Sequence, residues 1–337
     1  MNNIQHKILT SVAVLLFLLC SCVKEHMITT EEEQDAVITF DVTNTRGPME
    51  DGDAEDRAIG SLRVLGFRSS DGVLTFNRTV TLSGTPLQGT ITARTGRHTV
   101  VFIANEGSDP VLAGTLAGLT PGSSTLASVK GLSFSQSAFA ANKNIPMSAI
   151  KENIRIIGDN ELEDPVSGAA IPWSVTLVRL GIRVDLILRI PNAQATVWET
   201  GGKTISFGNV PDKAYIFPGI QNWTSPVSDI PFTVGVTGTP DGADHTKYVL
   251  PRMIILPELC SNHPTVPILD ADALTLKLND GANRSGVIDT NIPAMGNTLP
   301  RNTRLEVTAT VATNTANLNF VIVVTSWDDI DTDHKLQ

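Results

Sequence analysis

Cysteine is nearly absent from this chain. Its 337 residues include three, at positions 20, 22 and 260, two of them close together near the N-terminus. A disulfide-stapled scaffold is excluded once Cys22 has another role, because no intramolecular pair then remains. A body this large must be held by its core. Cys260, left alone, reads as a small buried hydrophobe. Aromatic residues make up 5% of the chain, with two Tyr and four Trp (173, 198, 223 and 327). That scarcity argues against a dedicated glycan module, whose surface stacks sugar rings. Basic residues are outnumbered, 25 Lys and Arg against 35 Asp and Glu. The net charge of −10 speaks against nucleic acid as a partner, since phosphates need clustered cations.

Catalytic signatures are missing too. The six His (6, 26, 98, 245, 263 and 334) show no metal-ligand spacing. No Gly-rich phosphate loop or Gly-x-Ser-x-Gly elbow is present. The run Asp51-Gly52-Asp53-Ala54-Glu55-Asp56 looks superficially like a calcium loop, but it lacks the sixth-position glycine and the distal glutamate. It reads as a solvated acidic loop. Asp270-Ala271-Asp272 and Asp328-Asp329-Ile330-Asp331 read as turn carboxylates. The sequence points to no enzyme, no cofactor and no bound metal.

Long apolar runs are confined to the N-terminus. Lys7 supplies a positive n-region, and Ile8 to Leu19 is apolar at nearly every position, too short to span a bilayer. Leu18-Leu19-Cys20-Ser21-Cys22 closes it. A lipobox needs a small residue just before its Cys; Ser21-Cys22 meets that need and Leu19-Cys20 does not. The spacing therefore predicts a lipoprotein signal peptide over residues 1–21, with Cys22 acylated. Diacylglycerol plus an amide-linked chain supplies the two anchors that stable membrane attachment requires. Residues 22–35 form a charged tether with Lys24, Glu25 and Glu31-Glu32-Glu33.

The remaining chain is long enough for two domains and reads as strand nearly throughout. Ala36 to Thr43 alternates, with Ile38, Phe40 and Val42 on one face. The polar stretch Asn44 to Asp56 is a loop. Ser61 to Phe67 is a second strand, and Ser69-Ser70-Asp71-Gly72 turns into Val73 to Phe76. Arg78 to Leu82 and Gly89 to Ala93 follow. Arg97 to Ala104 is nearly continuously apolar, as in a strand covered on both faces. Val111 to Leu119 and Ser123 to Leu132 carry helical spacing. Val175 to Ile190 reads as one long half-buried strand, ended by Pro191-Asn192, where the domain boundary is drawn. Further strands include Ile205 to Phe207, Tyr248 to Ile255, Leu274 to Leu278, Arg304 to Ala312 and Leu318 to Thr325. The expectation is an all-β protein with minor α content: an N-terminal β-sandwich over 36–190 and a C-terminal one over 191–337.

Several stretches resemble the Bacteroidetes fimbrillins, subunits of lipoprotein-derived (type V) pili. They are Ile59-Gly60-Ser61-Leu62-Arg63-Val64-Leu65-Gly66-Phe67, Ile145-Pro146-Met147-Ser148 with Thr176-Leu177-Val178-Arg179, Val210-Pro211 with Tyr215-Ile216-Phe217-Pro218, and Leu318 to Trp327. The charged tether is similar to those of surface-exported lipoproteins of the same phylum. The resemblance implies two tandem transthyretin-like antiparallel sandwiches at the cell surface, in a fimbrium, with other pilus subunits as partners. A host or bacterial surface ligand would be a further partner in adhesion. It also implies that an Arg-specific protease cuts after the first strand, at Arg46 or, as a fallback, Arg57. Attachment to the outer membrane through the lipid would then hold only before processing. Loss of the strand bearing Ile38, Phe40 and Val42 would open a groove for a strand from another chain. The donor would be Leu318 to Thr325 or the tail after Trp327. That tail is acidic and poor in large apolar residues, a departure that counts against the shaft role among shaft, tip and anchor and leaves tip, accessory or anchor roles open. The alternative is a monomeric surface lipoprotein that binds glycan or protein.

Overall fold

The computed structural model describes residues 33–44, 58–139, 143–164, 166–199, 204–208, 210, 213–217, 230–233, 238–256, 274–279, 284–287, 301–311 and 318–326. Cys22, the tether up to residue 32, Arg46, Arg57, the acidic run 51–56, Cys260, Trp223, Trp327 and the C-terminal tail lie outside the described residues. No described helix is long and apolar enough to cross a membrane.

Alternation in β1 (Asp35–Asn44) starts the first sheet. Ala36, Ile38, Phe40 and Val42 are buried, while Val37 and Thr39 face out. Next come β2 (Leu62–Arg68), β3 (Leu74–Val80), β4 (Leu87–Arg94) and β5 (Gly96–Ala104). After a helical insert that contains β6 (Ser133–Ser135), the sheet is completed by β7 (Met147–Gly158), β8 (Glu161–Glu163) and β9 (Ser174–Arg179). The strand order is β3-β2-β5-β7-β9-β1-β4, with β8 paired to β7. β7 and β9 join at Met147–Arg179 and Ser148–Val178, so the sheet can fold there into two layers. Between the layers lies a core of Ile38, Phe40, Val64, Phe102, Trp173, Val175 and their neighbours.

The apolar run of β5 has the cause its sequence implies. Val100 and Phe102 enter the core shared with β1, whereas Val101 and Ile103 enter a second core on the other face. That second face is covered by α1 (Pro110–Ala117) and α2 (Leu126–Lys130), through Leu112, Leu116 and Val129. Both helices fall where helical spacing placed them. Pro110 opens α1, and Asp109 caps it by accepting the Leu112 N–H at 3.2 Å. Beside this layer the buried Arg63 grips Glu106 with two nitrogens, at 2.7 and 2.8 Å.

The chain changes sheets at Leu180-Gly181. The stretch expected as one strand over 175–190 is two: β9, and β10 (Ile182–Pro191), the central strand of another sheet. Gly181 permits the break's close packing, since a Cβ there would lie 2.6 Å from Ile254 Cγ2. The change of sheet thus precedes the boundary drawn after Ile190. Pro191-Asn192 leads into a helix that periodicity did not show, α3 (Asn192–Glu199).

The remaining strands are β11 (Thr204–Gly208), β12 (Lys213–Tyr215), β13 (Ile230–Thr233), β14 (Thr239–Asp241), β15 (His245–Ile255), β16 (Thr275–Asn279), β17 (Arg284–Val287), β18 (Thr303–Val311) and β19 (Leu318–Ser326). One sheet runs β14-β15-β10-β18-β19 and another β13-β11-β16-β17. Leu186, Leu188, Tyr248 and Val307 from the first meet Ile205, Phe207, Leu276 and Leu278 from the second in one apolar cluster. That cluster also takes in the helical layer below β5, so it runs through the junction without interruption. Polar bonds cross the same junction, with Arg179 donating to Asn302 Oδ1 at 3.0 Å and Ser148 Oγ to the Ile216 carbonyl at 2.8 Å.

A buried ionic group ties the three central strands of the second half. Asp185 accepts from Arg183 Nε at 2.9 Å, from Arg304 Nε at 2.7 Å and from the Arg252 N–H at 2.9 Å. Burial alone would push its carboxyl up; the guanidinium groups of Arg183 and Arg304 and the Arg252 N–H outweigh that and hold it below the ordinary value. The pairing of β10 with β15 shifts register at this point, between Val184 and Leu186.

Candidate functional site

The first strand is an interior member of its sheet. It pairs antiparallel with β4 from Asp35–Arg94 to Val42–Leu87, and parallel with β9 from Asp41–Ser174 to Asn44–Leu177. Among the described strands β4 has no other ladder partner, so β1 is all that joins it to the sheet. The space β1 fills is therefore a slot between two strands.

The slot floor is graded in size. Ala36 lies opposite Ala93, Ile38 opposite Ile91, Phe40 opposite Gly89 and Val42 opposite Leu87. Phe40 is the anchor. Its ring meets Phe102 and Trp173 edge-on, with centroids 5.5 and 5.4 Å away. Gly89 makes room for it: a Cβ there would come within 2.9 Å of Phe40 Cζ and 2.8 Å of Val80 Cγ1. Burying Ile38, Phe40 and Val42 contributes roughly 1.5–3 kcal/mol each.

On the side away from β4, β9 reaches only part of the strand. The Asp41 N–H donates to the Trp173 carbonyl at 2.9 Å. Ahead of that, the two-residue turn between β7 and β8 stands in for a strand. Asp159 Oδ1 accepts the Val37 N–H and Asn160 Oδ1 accepts the Thr39 N–H, both at 2.7 Å. The Asn160 N–H returns a bond to the Val37 carbonyl at 2.9 Å. Asn160 adopts φ 54°, a left-handed conformation that Asn tolerates.

Residues 36–161, from β1 to the start of β8, match the family model of the major fimbrial subunit protein (FimA). The match covers less than half of the chain, and over it the sequence is similar to that family. The family is one of fimbrial structural subunits, not of enzymes; their partners are other pilus subunits and their place is the cell-surface fimbria. Solved fimbrilins have the same fold. The tip fimbrial protein Mfa3 from Porphyromonas gingivalis, with a C-terminal truncation, is 13% identical, with a TM-score of 0.50 over 87% of this chain and 100% of that one. A fimbrilin (FimA) from Porphyromonas gingivalis W83 is 15% identical, with a TM-score of 0.52 over 87% of this chain and 98% of that one. No curated protein matches the sequence.

The structure brings Ile38, Phe40 and Val42 together in one slot. Cys22, Arg46 and Arg57 are outside the described residues. Trp173 is buried, 7% exposed, so it is not part of a surface aromatic cluster; Trp198 lies in α3. No described cluster of His, Cys, Asp or Glu has the makings of a metal site. Sequence reasoning missed Gly89, Asp159 and Asn160. Gly158-Asp159-Asn160 does carry turn chemistry, but nothing local shows that the turn reaches a strand over a hundred residues earlier.

Proposed function

We propose that this chain is a fimbrial subunit exported as a lipoprotein through Cys22 and assembled by exchange of the strand over 35–44. The observation that carries the reading is the interior place of β1, with four apolar side chains sunk between β4 and β9. Cutting after Arg46, or after Arg57, separates the lipid, the tether and β1 from the body. The vacated slot then has two unpaired strand edges and an apolar floor, which a strand from another subunit fills. The uncut chain stays monomeric because its own strand occupies the slot. In this reading the two halves are transthyretin-like domains, with the change of sheet at Leu180-Gly181 as their junction.

The core adjoining the helices and the second half contains no residue of β1. Exchange therefore opens one core and leaves the other closed, which is what a subunit that must stay folded while it polymerises requires. The test is mass spectrometry of the N-terminal peptide of the protein from outer-membrane and sheared-surface fractions, because an amide-acylated Cys22 has no free amine to sequence from. An acylated start at Cys22 in the first and a start at residue 47 or 58 in the second is expected. A lipidated, uncut chain in both fractions would instead fit an anchor subunit or the monomeric surface lipoprotein. Cys22→Ser should abolish lipid labelling; full membrane attachment of that variant would overturn the lipoprotein reading.

A further inference from the structure

Strand exchange requires an incoming strand to stop in the right place, and a β-ladder alone does not ensure it. A slip of one residue turns every apolar side chain outward, but a slip of two keeps the pattern and changes only which pocket receives which side chain. One feature of this slot distinguishes frames two residues apart, and another ties the strand down in either frame. The pocket formed by Gly89, Phe102 and Trp173 accepts an aromatic ring at one position, and the flanking positions face the bulkier Ile91 and Leu87. The turn residues Asp159 and Asn160 bond the backbone of two alternate residues, Val37 and Thr39, at the end where β9 supplies no partner. These bonds read N–H groups rather than side chains, so they hold any non-proline strand, in frames two residues apart alike.

We propose that the Gly89–Phe102–Trp173 pocket sets the register of the strand in this slot, resident or incoming, while the Asp159-Asn160 turn ties its backbone without choosing a frame. The incoming strand they fit is residues 316–322 of a second copy of this chain. The proposal rests on the strand-exchange reading above. Ala36-x-Ile38-x-Phe40-x-Val42 is matched position for position by Ala316-x-Leu318-x-Phe320-x-Ile322. Asn317, Asn319 and Val321 then take the places of Val37, Thr39 and Asp41, and each has an N–H to give. Among the described strands β19 is at the edge of its own sheet, paired along one side with β18. In the frame slipped by two, Phe320 would fall opposite Ile91 and Ile322 opposite Gly89, which misfills both pockets.

Register can be read by cross-linking between full-length chains. In a Cys260→Ser background, a chain with Thr90→Cys is mixed with one carrying either Asn319→Cys or Val321→Cys, and both are cut by an Arg-specific protease. Thr90 is exposed and faces Thr39, whose place Asn319 takes in the proposed frame. Disulfide-linked pairs with Asn319→Cys should exceed those with Val321→Cys by about tenfold, the ratio for roughly 1.4 kcal/mol lost when the ring misses its pocket. Phe320→Ala in the incoming chain should bring the ratio toward one, whereas Asp159→Ala with Asn160→Ala should weaken both links alike. A dominant Val321→Cys link, or a ratio untouched by Phe320→Ala, overturns the proposal while leaving strand exchange standing. If the cut chains do not associate at all, strand exchange itself fails. The turn is then judged on the uncut monomer by amide exchange. Val37 and Thr39 should lose about five- to tenfold protection in the alanine pair while Ile91 does not, and unchanged protection overturns its role.

Discussion

At the residue scale, burial and exposure along β1 alternate, and the consequences of substitution should alternate with them. Phe40→Ala removes the ring that packs on Phe102 and Trp173 opposite a glycine, so little can collapse to fill the space. It should cost about 3–5 kcal/mol in denaturant unfolding, whereas Val37→Ala, at a position 44% exposed, should stay within about 0.5 kcal/mol. Equal costs would mean that β1 is not seated as described. Asp185 gives a pH prediction. Its folded carboxyl lies below the ordinary value, so the stability it contributes is present above the unfolded carboxylate range and is lost as pH falls through the folded value. Asp185→Asn should therefore destabilise at neutral pH and flatten the acid limb of the stability–pH curve below about pH 4. An acid limb identical to that of the parent would refute this. The alternation of Ile38, Phe40 and Val42 was legible in sequence because it is a period-two signal within one segment. The partners of Asp185 were not, because Arg252 and Arg304 reach it from two other strands.

Single elements were legible where the pattern was local and obscured where tertiary contacts interrupt it. β5 reads correctly as doubly covered because both of its faces are apolar. β7 was missed because Lys151-Glu152-Asn153 breaks the alternation, and Asn153 takes φ 52° where the pairing with β5 shifts register. The division at Gly181 was hidden because Leu180 to Leu188 keeps alternating while the chain passes from one sheet to another; only the neighbour Ile254 shows why a glycine is there. Gly89 illustrates the same principle within β4. Its missing side chain matters only because a ring from β1 and a methyl from β3 arrive there. Gly89→Ala should cost about 1–3 kcal/mol by overpacking. Phe40→Leu in the same chain should recover part of that loss, because it removes the ring atom nearest the new methyl. A double variant that is merely additive would show that the two residues do not share a pocket.

For the whole molecule, the decisive property is that its two apolar cores depend unequally on β1. The core between the layers takes Ala36, Ile38, Phe40 and Val42 from this strand, whereas the core that includes the helical layer and the second half begins at Leu65 and takes nothing from it. Losing β1 uncovers Val175 and Leu177 of β9 and Ile91 of β4, and releases β4 from its ladder partner. Arg179 bonded to Asn302 and Ser148 bonded to Ile216 hold the junction from residues outside the slot. An uncut chain should accordingly unfold as one body, while a chain cut after Arg46 or Arg57 should show two levels of stability. Amide exchange separates the cases. After cutting, and with no incoming strand, protection should fall across Leu87–Arg94 and Ser174–Leu177 but persist through Ile182–Pro191 and Thr303–Val311. Adding a peptide of residues 314–325 should return protection to the first two segments alone. Collapse of protection throughout the cut chain would show that β1 supports the whole molecule, and such a chain could not survive the strand exchange proposed for it.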